Sequence, residues 1–138
     1  MPKAQALLAA VLAMTLSSSA FADAAADARK HFDAIASADV NAVMQDYGPG
    51  AQFQWVGGML DGLYASDDTI RALWTKFSTA QGKLAVTVPE LQESTNPKGS
   101  TVVAKVVFEG KATLKVRYVL VYRDGKIVSE VWQVDPKL

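Results

Sequence analysis

The stretch that most constrains this chain runs from Leu84 to Val134. Four segments there, Leu84 to Glu93, Thr101 to Glu109, Thr113 to Arg123 and Lys126 to Val134, are rich in β-branched and aromatic residues, and "NPKG", "EGKA" and "RDGK" separate them. Such runs with short turn-forming breaks read as consecutive antiparallel strands. A meander of four strands must bury at least one face, and the covering elements must come from the residues before Leu84.

Those residues supply helices. Ala28, Phe32 and Ile35 recur at helical spacing between Ala24 and Ser37, with Arg29, Lys30 and Asp33 on the opposite face. Asp39 is a good N-cap for a short second helix carrying Val40, Val43 and Met44 to the breaker Gly48-Pro49-Gly50. "AQFQWV" then alternates Phe53 and Trp55 with Gln52 and Gln54, as a strand does, and the glycine-rich loop "GGMLDG" and a brief strand at Leu63 and Tyr64 follow. Ser66 with Asp67 and Asp68 behind it starts a third helix, whose buried stripe is Ile70, Leu73, Trp74 and Phe77. The order predicts an α+β domain with helices on one face of a curved antiparallel sheet.

The first residues belong to something else. A short basic start at Lys3, an alanine-rich apolar run from Ala4 to Leu16 and the small residues of Ala20-Phe21-Ala22 form a secretory signal pattern, with cleavage after Ala22 or after Ala24. The run is well under the roughly 20 residues of a membrane span. Residues 1–22 are thus read as a signal peptide and 23–138 as one domain, periplasmic or secreted, with no membrane association once the signal is removed. Removing 22 of 138 residues leaves 116, enough for one ordinary core, and the absence of cysteine excludes a disulfide-stapled scaffold. The 14 basic and 14 acidic residues become 13 against 14 without Lys3, a balance that argues against a nucleic-acid partner.

The sequence resembles the nuclear transport factor 2-like superfamily, also called SnoaL-like, over roughly Ala25 to Asp135. The resemblance is carried by "AIASADVNAVMQDYGPGAQFQW", "DGLYASDDTIRALWTKF" and "VLVYRDGKIVSEVWQV" in that order. It implies a cone of curved sheet wrapped by three helices with an internal pocket, used for cofactor-independent catalysis in some members and for binding in others. Fold alone does not choose between these. Ketosteroid isomerase, a relative in that superfamily, uses an aspartate base with a tyrosine and a protonated aspartate as donors. Matching its helix junction puts the base position on Trp55, the tyrosine position on His31 and the second aspartate position on Tyr118. An indole is no base at neutral pH, so that isomerase's chemistry is not expected.

The candidate acid/base set is His31, Glu130 and Tyr118. His31 is the only histidine and lies at the edge of its helix's apolar stripe. If "RDG" forms a three-residue loop with Gly125 left-handed, the apolar face of Leu114, Val116, Tyr118 and Leu120 meets Val128, Trp132 and Val134, and Glu130 falls opposite Tyr118. A carboxylate on that face needs a partner, and such a group can be tuned for proton transfer. The bland reading is a satisfied boundary histidine and a solvated or ion-paired glutamate.

Trp55, Trp132, Phe53, Met59, Leu60 and Tyr64 are the candidate ligand-binding residues, the aromatics as walls and Met59-Leu60 as a mobile lip. Trp74 belongs with the core. One histidine and no cysteine leave no metal set, and no cofactor is expected. Apolar residues on both faces of the strands around Val119 and Val121 call for a homodimer. The resulting expectation is an exported protein binding a small apolar or aromatic molecule. The alternatives are a cofactor-independent isomerase, dehydratase or hydrolase using His31 and Glu130, and a dimeric scaffold with a filled pocket.

Overall fold

The computed structural model describes residues 23–138; the signal-peptide reading of residues 1–22 lies outside the described residues. Three helices come first: α1 (Ala24–Ala36), α2 (Val40–Met44) and, after β1 (Tyr47–Val56) and β2 (Gly62–Tyr64), α3 (Asp67–Gln81). Four long strands complete the chain: β3 (Ala85–Asn96), β4 (Gly99–Glu109), β5 (Thr113–Arg123) and β6 (Lys126–Val134). The fold is α+β, as its sequence pattern predicts.

Local chemistry accounts for the helix starts. Asp23 accepts from the Ala26 amide and Asp39 from the Ala42 amide. At α3, Ser66 and Thr69 form a reciprocal capping box, and Asp67 and Asp68 meet the positive end of the helix dipole. The three-residue break between α1 and α2 turns on Ala38, a non-glycine residue held at a left-handed φ of 58°.

All six strands form one open sheet in the order β2-β1-β6-β5-β4-β3. Its pairs are antiparallel except β1 with β6, which run parallel, so the sheet is mixed where antiparallel pairing alone was expected. The cause is topological: β6 ends the meander and lies beside the strand that opened the domain. Strand β1 also begins before its breaker, because Tyr47 pairs with Ile127 and regular pairing resumes only at Gln52, with Gly48-Pro49-Gly50 absorbed as an irregularity. Pro89 sits in a similar irregularity of the edge strand β3, where a missing N–H costs little.

The β5–β6 register differs from expectation in an instructive way. The turn is a two-residue one, Asp124 (φ 51°) and Gly125 (φ 72°), both left-handed as a type I′ turn requires. A bulge follows, since Tyr122 pairs with Ile127 but Val121 with Ser129, leaving Val128 as the extra residue. Tyr118 therefore opposes Trp132, and Glu130 opposes Leu120. The displacement is two residues from the three-residue-loop register, so Glu130 keeps the inward face even though its cross-strand partner changes.

The helices pack on the concave face. Ala28, Phe32 and Ile35 of α1 and Ile70, Leu73, Trp74 and Phe77 of α3 are buried against Val106, Phe108, Val116, Tyr118, Leu120, Ile127 and Trp132 of the sheet. On the convex face Val103, Val119 and Val131 line up in register across β4, β5 and β6, each only partly buried.

Candidate functional site

His31 sits on the inward stripe of α1, fully buried. Its Nδ1 lies 2.8 Å from Asp46 Oδ2 and its Nε2 lies 2.7 Å from Glu130 Oε2. A neutral imidazole has one N–H, and two carboxylates on opposite ring nitrogens require two donors, so the ring is an imidazolium. Burial by itself would push the His31 pKa down. The charge of Glu130, the bonds to Asp46 and Glu130 and the charge of Asp46 together outweigh it and raise the pKa to about 9.

Glu130, also fully buried, gathers two further donors. The Tyr47 hydroxyl donates to Oε1 at 2.5 Å and the Tyr118 hydroxyl to Oε2 at 2.7 Å, while Trp74 Nε1 donates to the Tyr47 oxygen at 2.8 Å. Burial first, and then the Glu130 charge, hold both phenols well above the usual tyrosine range. The cluster draws one side chain or more from α1, β1, α3, β5 and β6, with Asp46 in the link before β1, so five of the nine elements converge on one buried carboxylate. Among the described residues no group of three or more His, Cys, Asp or Glu side chains is arranged to hold a metal; the two carboxylates here lie on opposite edges of the His31 ring.

A cavity of about 520 Å³ opens at the other end of the cone. Trp55, Phe77, Leu114, Val116 and Trp132 are among its lining residues, the loop from Gly57 to Leu60 forms its lip, and Gln81 at the end of α3 joins the wall. Trp132 is stacked between Trp55 (4.2 Å between ring centroids, 14° between planes) and Phe108 (5.2 Å, 10°). Its edge also meets the Tyr118 ring at 5.5 Å, so this indole is a partition with the cavity on one side and the polar cluster on the other.

The residues expected at a site are thus sorted into two places. His31, Glu130 and Tyr118 come together, joined by hydrogen bonds, but none lines the cavity. Trp55, Trp132, Met59 and Leu60 do line it. Phe53 and Tyr64 do not: Phe53 is buried behind Trp55, stacked on Trp74 at 5.5 Å, and Tyr64 donates to the Leu60 carbonyl at 2.7 Å, bracing the lip from behind. Sequence reasoning passed over Asp46 and Tyr47, whose signal was an acid and a tyrosine placed directly before Gly-Pro-Gly, and it assigned Trp74 to the core without its hydrogen bond.

No family model and no curated protein matches the chain in sequence. Solved structures do match. A Xanthomonas campestris protein assigned as a calcium/calmodulin dependent protein kinase II association domain superposes with a TM-score of 0.70 at 18% identity, covering 83% of this chain and 87% of that one. An NTF2-like protein from Cytophaga hutchinsonii gives 0.64 at 17% identity (81% and 95% covered), and a ketosteroid isomerase-like protein from Erwinia carotovora atroseptica gives 0.63 at 13% (80% and 92%). Identities this low speak of architecture, and the architecture is the nuclear transport factor 2-like cone, three helices in the N-terminal half against one curved, open sheet.

Proposed function

We propose that this chain binds a small apolar or aromatic molecule in the cavity beside Trp55 and Trp132. The observation that supports this most is the separation of cavity from charge: an apolar-walled space of about 520 Å³ is a size common for small-molecule sites, and no atom of the acid/base cluster reaches it. A reaction run by His31 and Glu130 would need substrate against atoms that are fully enclosed and already bonded to one another. The cluster's role in this reading is to hold the cone's shape. The chain is exported, by its N-terminal signal pattern, and works in the periplasm or outside the cell. It pairs with a second copy through the convex face, where the Val103, Val119 and Val131 row is left partly uncovered.

Binding is tested by titrating an anilinonaphthalene dye into the wild type and into Val134→Trp, which places an indole at the cavity mouth. Saturable binding weakened at least about tenfold in the variant is expected. A wild type that binds no dye, or a variant that binds equally well, overturns the cavity as the site. Sedimentation of the purified protein at micromolar concentration giving the mass of one chain overturns the dimer.

A further inference from the structure

Buried polar groups in folded proteins nearly always have partners, so exceptions point to something missing. Among the described residues three buried side-chain atoms have none: Gln81 Oε1, Tyr122 Oη and Trp132 Nε1. Two of the three, one acceptor and one donor, belong to side chains lining the same apolar cavity. Leaving them unpaired is costly, and the cost is removed by a molecule that supplies both complements at once.

We propose that the ligand carries, on its flat apolar body, one neutral group that both donates and accepts a hydrogen bond: an alcohol or phenol hydroxyl, donating to Gln81 Oε1 and accepting from Trp132 Nε1. This rests on the cavity being the binding site. A carboxylate accepts from the indole but leaves Gln81 Oε1 without a donor, and a bare hydrocarbon satisfies neither atom. The strands argue the same way. Lys115 is the one charged residue in the lining, and it alternates with the inward-facing Leu114 and Val116, so its side chain leaves on the convex face beside Arg117. Both unpaired atoms are covered in this conformation. A ligand reaches them by turning the amide of Gln81, which is half-buried in the last turn of α3, beneath a lip whose Met59 is fully exposed. The flat body then fills the apolar space bordered by Trp55, Phe77 and Leu114.

Equilibrium dialysis with naphthalene, naphthol and naphthoate tests the assignment. Naphthol is expected to bind about tenfold tighter than either of the others. Gln81→Leu and Trp132→Phe are each expected to abolish the preference for naphthol over naphthalene, read as the ratio of the two affinities measured in the same variant. Circular dichroism checks that both variants fold, and Gln81→Leu, at a helix end, stands alone should Trp132→Phe fail. Naphthalene binding as tightly as naphthol, or naphthoate binding tightest, overturns the hydroxyl assignment while leaving the cavity as the site. Failure of all three to bind overturns both.

Discussion

The His31 imidazolium should make the protein lose stability as pH rises through the neutral range. In the unfolded chain His31 titrates near 6.5, and in the folded chain at about 9. Below pH 6.5 both states hold the proton and the full stabilisation is present. Between 6.5 and 9 the folded state keeps a proton that the unfolded state has released, and stability falls by up to about 1.4 kcal/mol per pH unit. Above 9 the contribution, about 3 kcal/mol in total, is gone. The buried phenols Tyr47 and Tyr118 act in a separate window, because their unfolded pKa lies near 10 and their folded values lie well above it, so their stabilisation is lost only above pH 10. Urea unfolding of the wild type and of His31→Gln across pH 6 to 9 reads the slope directly, as a 6.5-to-9 decline in the wild type that is absent from the variant. Since there is a single histidine, its ring resonance in NMR gives the folded pKa without assignment. A flat wild-type profile, or a ring that titrates near 6.5, would refute the imidazolium and with it the account of the cluster.

Three further outcomes follow from the same geometry. Glu130→Ala strands a buried imidazolium and two tyrosine hydroxyls, and should cost about 3–5 kcal/mol in urea unfolding at pH 7. Tyr47→Phe removes the bond to Glu130 and the acceptor for Trp74 Nε1; a loss of about 1–3 kcal/mol is expected, together with a shift in tryptophan emission. Ser66→Ala breaks the capping box of α3 and should lower stability by about 1 kcal/mol without altering the pH slope, which separates helix-end effects from those of the cluster.

What the sequence disclosed, it disclosed through local rules. The N-caps at Asp39 and Ser66, the stripe Ile70, Leu73, Trp74 and Phe77, and the alternation of the long strands all depend on neighbours a few residues away, and they appear in the structure as expected. The β5–β6 register shows the limit. Parity along a strand decides which face a side chain takes, so the inward placement of Glu130 was legible, but a one-residue bulge at Val128 leaves no mark in composition, so its partner was not. Asp46 and Tyr47 escaped notice because Gly48-Pro49-Gly50 reads locally as an end, whereas pairing with Ile127 extends the strand across it. The contacts of the cluster span up to 99 residues of chain, and no periodicity carries that information.

The position of β6 bears on when the molecule can acquire its shape. It is the strand through which β2 and β1 are bonded to β5, β4 and β3, and it follows all of them in sequence. The α1 to β2 segment therefore leaves the ribosome before the strand that joins it to the rest of the sheet, and His31 waits for Glu130 without its partner. Pairings of such sequence separation make assembly slow, with a millisecond-to-second timescale typical of sheet-dominated domains. Until β6 arrives, the apolar faces of α1 and α3 have no sheet fully assembled to receive them.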